Sequence, residues 1–129
     1  KRCLVGSEMC IRDRLLAAEA DASTLLSSNG VIFGTPENFG YMSGALKDFF
    51  DRTFYQVEEK NINIPYCTFV SAGNDGTGAV TSIERIVKGY PLIKVAEPLI
   101  ISGKQVNSNK ERCIDFGHGM AAGLALGIY

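Results

Sequence analysis

Two spacings of apolar residues alternate along the chain. Short β-branched runs bounded by Gly and Pro fall at GVIFG (30–34), PYCTFVSAG (65–73) and LIKVAEPLIISG (92–103). Near-continuous apolarity of that kind predicts strands covered on both faces. Between them the period lengthens to that of a helix. Leu46, Phe49, Phe50 and Phe54 recur at helical spacing, with Ser43 as N-cap and Asp48 four residues ahead of Arg52 for a surface ion pair. Val80, Ile83, Val87 and Tyr90 make a second stripe, closed by Gly89 and Pro91. A third helix opens at SNKE, where Ser108 and Glu111 have capping-box spacing, and continues through Phe116, Met120 and Leu124. Gly119, Gly123 and Gly127 add a smooth strip at four-residue spacing, suited to packing on the sheet or on a neighbouring subunit.

Such alternation predicts an α/β fold with a parallel sheet, right-handed crossovers and helices on both faces. Loops that follow the strands then share one edge, where ligands bind at a reversal of strand order. Two loops stand out at that edge. TPENFGYMS (35–43) is longer than the roughly two to six residues that usually join a strand to a helix, and GNDGTG (73–78) follows the next strand. Pro36 stiffens the first bend, Asn38 and Gly40 tolerate unusual dihedrals, and Phe39, Tyr41 and Met42 bring large apolar groups where loops ordinarily carry polar ones. Those groups require a surface to cover: the protein's own core, a partner subunit, or a flat aromatic ligand whose polar edge meets backbone amides.

In the second loop Gly73, Gly76 and Gly78 leave backbone N–H groups unshielded before the positive end of a helix, which suits an electron-rich ligand edge. A plain Gly-rich turn reads equally well. The glycines do not follow the dinucleotide order G-x-G-x-x-G, and Pro98 beside Glu97 weakens any ribose-binding role for that acid. Asp75 and Glu37 each suit either a ligand contact or a turn. His118, within FGHGM of the last helix, reads as a surface or packing residue.

Composition narrows the partners. A chain of 129 residues forms one core, and a net charge of -1 offers no field for nucleic acid or anionic lipid, which leaves small molecules or proteins. Cysteines at 3, 10, 67 and 113 form no C-x-x-C pair, no histidine is spaced as a zinc ligand, and no secretory leader precedes them. They read as reduced thiols of a cytoplasmic protein. The apolar run MAAGLALGIY is about half of what a membrane span needs.

GTPENFGYMSGALKDFFDRTFY, followed about thirty residues later by PYCTFVSAGNDGTGAV, resembles the flavodoxin-like family of FMN-binding proteins, near its NAD(P)H-dependent flavin and quinone reductases. The likeness runs from about Leu15 to Tyr129. It implies a three-layer α/β/α sandwich on a parallel sheet of order 2-1-3-4-5, in which the loops after strands three and four hold the isoalloxazine ring. Carried over, the first of these comprises Thr35, Pro36, Glu37, Asn38, Phe39, Gly40, Tyr41, Met42 and Ser43, and the second Gly73, Asn74, Asp75, Gly76, Thr77 and Gly78. The implied activity passes a hydride or electrons from NAD(P)H through bound FMN to a quinone or similar small acceptor. A homodimer or homotetramer is implied as well. Because the flavin carries the redox chemistry, no catalytic side chain and no metal is expected.

Two further functional classes stay open, a flavodoxin-type electron carrier and a noncatalytic remnant. A carrier that docks on basic partners is ordinarily far more acidic than this chain.

The resemblance also implies a first strand, a Ser/Thr-rich phosphate loop and a second strand ahead of Gly30, and none is found there. The one Ser-rich stretch, STLLSSNG, precedes a strand where a phosphate cradle follows one. The expectation is therefore a partial flavodoxin-like domain over 15–129 with weakened FMN binding and an exposed edge on its first strand. Residues 1–14, KRCLVGSEMCIRDR, resemble no part of the family and are expected to be non-native; the structural alternative makes CLVG a short strand followed by a crossover helix.

Overall fold

The computed structural model describes residues 2–5, 8–11, 14–102 and 109–129, the first two ranges by their backbone alone. In chain order its elements are β1 (Arg2–Val5), β2 (Glu8–Ile11), α1 (Ala22–Leu26), β3 (Val31–Pro36), α2 (Gly44–Val57), β4 (Ile64–Ala72), α3 (Thr77–Val87), β5 (Leu92–Lys94), β6 (Leu99–Ser102) and α4 (Lys110–Ala125). Strands β3 to β6 form one parallel sheet with β4 at its centre. Its helices make the α/β architecture that the apolar pattern predicts.

The run 92–103, expected as one strand, is two. Both β5 and β6 pair with β4 in parallel, Leu92 opposite Ile64 and Leu99 opposite Phe69. Pro98, which has no N–H to give a ladder, falls in the break between them. Across that break the pairing steps by two residues, since partners differ by 28 in β5 (64 and 92) and by 30 in β6 (69 and 99).

Helices α2 and α3 cover one face. Phe33 and Tyr66 project from β3 and β4 into a cluster with Phe49, Phe50, Ile83, Val87 and Tyr90, and the Phe33 and Phe50 ring centroids lie 5.2 Å apart. Aromatic pairs at that separation add to the burial of their own area. Ser43 caps α2 as its sequence position predicts, accepting from the Leu46 N–H at 3.2 Å. Arg52 Nε donates to Asp48 at 2.7 Å, and its guanidinium also donates to the Ala17 and Ala20 carbonyls, fixing the lead-in to α1.

The opposite face receives α4, whose Met120 and Leu124 approach Gly30 so closely that a Cβ there would lie 2.7 Å from Leu124. Asn109, not Ser108, precedes α4, and its Oδ1 accepts from Arg112 at 2.9 Å; Ser108 lies outside the described residues. The expected glycine strip also resolves differently. Gly127 has left the helix at φ 71°, where the Ile128 N–H donates to the Gly123 carbonyl and the Gly127 N–H to that of Leu124, a Schellman stop. Gly123 makes room for the ring of the chain's own Tyr129, and Gly119 has nothing within 4 Å.

At the N-terminus β1 and β2 pair antiparallel, Arg2 opposite Ile11 and Val5 opposite Glu8. A hairpin therefore stands where the sequence alternative put a strand and a crossover helix. A short connection suffices for antiparallel strands, whereas a parallel return takes a dozen or more residues.

Candidate functional site

Both long loops lie at the C-terminal edge of adjacent parallel strands, the first after β3 and the second after β4. They touch. A Cβ on Gly78 would overlap the carbonyl of Gly40, so this close approach requires glycine.

The first loop is a miniature hairpin. Asn38 N–H donates to the Tyr41 carbonyl at 2.8 Å and Tyr41 N–H returns to Asn38 at 3.0 Å. Phe39 (φ 53°) and Gly40 (φ 69°) form the bend, both left-handed, as a two-residue type I′ turn demands. Glycine accepts that geometry freely; for a bulky aromatic it is strained. The Phe39 side chain is fully exposed at the tip and Tyr41 is partly so.

Not every residue of the loop faces outward. Met42 is buried in the core and covers the protein's own interior. Thr35 is buried too; its hydroxyl donates to the Pro36 carbonyl at 2.8 Å and accepts from the Ser43 N–H at 2.9 Å. Ser43 spends its own hydroxyl on the α2 cap. These side chains shape the bend from behind, and they are turned away from any ligand on its outer surface.

Glu37 takes neither of the roles its position suggests. Its carboxylate crosses to the other loop, where Oε2 accepts from the Gly78 and Ala79 N–H groups at 3.1 and 3.3 Å. It does for α3 what an N-cap side chain ordinarily does, because the N-cap residue itself is Gly76 (φ 74°) and has none. Asp75 Oδ1 accepts from the Thr77 N–H at 3.0 Å and from its hydroxyl at 2.8 Å, a turn that holds the carboxyl below the usual carboxylate range. At the N-terminus of α3 itself the donors are already engaged, which leaves the loop ahead of it as the part open to a ligand edge. The protein's own Glu37 and Asp75 already accept from its first three N–H groups, those of Thr77, Gly78 and Ala79.

What faces outward is backbone. Among the described residues no acceptor meets the N–H groups of the exposed Gly40 and Asn74, and a Cβ at Gly40 or Gly73 would have nothing within 4 Å, whereas Gly76 is buried against Ile100, Ala72 and Val70. Among the described residues this edge sets such donors beside the exposed Phe39 and Tyr41, a combination chemically suited to a flat ring with polar atoms on its rim. Two open depressions lie elsewhere: one of about 280 Å³ beside Tyr66, Glu84 and Lys94, the other of about 320 Å³ between α2 and α3.

The Ser-rich stretch before β3 forms no anion cradle. Asp21 caps α1 by accepting from the Thr24 N–H and hydroxyl, both at 2.8 Å, and the Ser27 and Ser28 hydroxyls donate to the Thr24 carbonyl. Among the described residues no group of three His, Cys, Asp or Glu side chains would hold a metal ion, and no helix is long and apolar enough to cross a membrane. Cys67 is buried, which pushes its thiol up to about 11, out of the range of a reactive thiolate.

The parallel sheet and its flanking helices define a flavodoxin-like α/β protein. Residues 17–105 match the NADPH-dependent FMN reductase family, and the chain belongs to that family. A stretch of 37 residues is 49% identical to a NAD(P)H dehydrogenase (quinone) of Acidithiobacillus ferrooxidans (strain ATCC 53993 / BNL-5-31). It amounts to 29% of this chain and 18% of that relative, so the likeness spans less than a fifth of the relative's length.

Proposed function

We propose that the edge formed by residues 35–43 and 73–78 receives the isoalloxazine ring of FMN, and that the chain serves an oxidoreductase drawing on NAD(P)H and delivering to a quinone or similar small acceptor. The observation that carries this reading is the meeting of the two loops, with N–H groups at the exposed Gly40 and Asn74 that meet no acceptor among the described residues, beside exposed aromatic side chains. FMN, when bound, supplies the transfer of hydride or of single electrons.

The chain's own contribution is to bind and orient. Outward N–H groups bond the electron-rich rim of the ring, and Phe39 and Tyr41 pack against its face and reduce its exposure to water. No side chain at this edge is assigned as acid, base or nucleophile. The quinone acceptor finds support in the name of the Acidithiobacillus relative.

The phosphate is a separate matter, because the hydroxyls of Thr24, Ser27 and Ser28 are spent within α1 and its flanks. Ring contacts therefore dominate, and FMN and riboflavin are expected to bind this chain within about threefold of one another. A phosphate cradle making three charge-assisted hydrogen bonds, at roughly 1.5 to 3 kcal/mol each, would instead favour FMN by three decades or more. Quenching of flavin fluorescence on titration with the protein measures both. No quenching by either flavin overturns the reading. A strong preference for FMN overturns its phosphate part alone.

An electron carrier is the second reading, favoured by the flavodoxin-like fold itself. Steady oxidation of NAD(P)H by the flavin-loaded protein in the presence of a soluble quinone separates the two, since a carrier sustains none.

A further inference from the structure

The flavin loop is anchored to α3 at three points. Glu37 Oε2 accepts from the Gly78 and Ala79 N–H groups; the Ser82 hydroxyl accepts from the Met42 N–H at 3.2 Å and donates to the Ala79 carbonyl at 2.7 Å; and the Gly40 backbone rests on Gly78. Of these, Glu37 alone is a charged, flexible side chain reaching from one loop to the other. It spans forty-one residues of sequence to reach Gly78, and the N-cap of α3 is a glycine that offers no oxygen of its own.

We propose that Glu37 is the positioning residue of the site: by capping α3 from the neighbouring loop, it sets the spacing between the Gly40 N–H on one side and the Asn74 N–H on the other. This rests on the flavin reading above. Donors on two separate loops can meet one rigid ring only if the loops keep a fixed separation, and a displacement of about 1 Å is enough to cost a positioned interaction a large part of its effect. The carboxylate is well suited to that task, because one oxygen accepts from two successive N–H groups at the positive end of the helix. Glu37 is thus a second-loop anchor with no contact of its own to the ring.

The test compares Glu37→Ala and Glu37→Gln with the parent chain, using riboflavin as the probe and amide hydrogen exchange at Gly78 and Ala79 as an independent readout. Glu37→Ala is expected to speed exchange at both amides and to raise the riboflavin Kd about tenfold or more. Glu37→Gln keeps an oxygen that can accept and is expected to stay within about threefold of the parent. Should Glu37→Ala fail to fold, Glu37→Asp, one methylene too short to span the gap, takes its place with the same expectations. Faster exchange with an unchanged Kd overturns the inference while sparing the flavin reading. A Gln variant that binds riboflavin as poorly as the Ala variant while its Gly78 and Ala79 amides exchange as in the parent also overturns it, because the charge would then act on the ligand directly. A parent chain that quenches no riboflavin defeats both.

Discussion

Gly78, the second residue of α3, lies against the Gly40 carbonyl with no space for a side chain of its own. Alanine at a helical position ordinarily gains up to about 1 kcal/mol over glycine, but overpacking against backbone costs about 1 to 3 kcal/mol. The clash wins here, so Gly78→Ala is expected to destabilise. Gly44 opens α2 with nothing within 4 Å and no positive φ, so Gly44→Ala is expected to stabilise by about 0.5 to 1 kcal/mol. Urea unfolding of the two variants gives opposite shifts in midpoint; a stabilised Gly78→Ala would contradict the close approach of the loops.

Phe39 combines a left-handed backbone with full exposure, and nothing in the fold repays its strain. Asparagine tolerates that conformation, at which other residues lose about 1 to 2 kcal/mol. Phe39→Asn is therefore expected to raise the thermal midpoint and, at the same time, to weaken riboflavin binding by removing an aromatic face. An increase in stability with unchanged affinity would assign the ring some task other than flavin contact.

Tyr90 ties α3 to α2 through a small buried network. Its hydroxyl donates to the Phe50 carbonyl at 2.5 Å and lies 2.8 Å from the Thr53 hydroxyl, which is itself 2.8 Å from the Phe49 carbonyl. Two hydroxyl protons serve three contacts. Tyr90→Phe keeps the ring stacked edge-on to Phe50, at 5.3 Å between centroids, and removes only the oxygen. A loss of about 1 to 3 kcal/mol is expected from urea unfolding, the scale of a buried partner left unsatisfied.

Burial holds the Cys67 thiol in its neutral form, with a folded value of about 11 against 9.0 for the free group. A raised folded value means the contribution to stability is complete below about pH 9 and is lost as pH climbs towards 11, because the unfolded chain ionises first. Burial also raises Tyr66 and Tyr90, so the alkaline decline has several sources. Cys67→Ala is expected to flatten that decline in part. Iodoacetamide labelling with peptide mapping gives a second check: Cys67 should react only on unfolding, whereas the half-buried Cys113 reacts in the native protein.

Ile32 is exposed on β3, which among the described residues pairs with β4 alone. A strand with one open edge invites pairing with another chain, and a charge there discourages it. Ile32→Lys is expected to lower concentration-dependent association in sedimentation velocity, without moving the urea midpoint by more than about 0.5 kcal/mol.

The elements that the sequence disclosed most clearly are those whose residues answer to local rules. β3, β4, α2 and α3 announce themselves through period and caps, and Ser43 and the Asp48–Arg52 pair do in the structure what their spacing predicts. The two loops were legible as a pair because surplus length and glycine content are properties of a single segment. The inward turn of Thr35 and Glu37 was not, since it depends on what the neighbouring unit supplies, whereas a core role for Met42 was among the alternatives its apolar side chain left open. One signal was available for Glu37: a helix whose N-cap is Gly76 lacks an acceptor, and must find it elsewhere. The break in 92–103 had its signal as well, in Pro98. The helix of α4, by contrast, starts one residue later than its capping-box spacing suggests, beside residues outside those described.

The step of two residues between β5 and β6 decides which insertions this ribbon tolerates. Side chains on a strand change sides with every residue, so a shift by an even number leaves Leu92 on the same side of the sheet as Ile100, and keeps Leu99 and Ile101 in the interior. One residue added between Val95 and Pro98 would turn Leu99 and Ile101 over and bring Ile100 into their place. Two added residues would only lengthen the bulge, which makes length parity, and not length, the quantity that this crossing point guards.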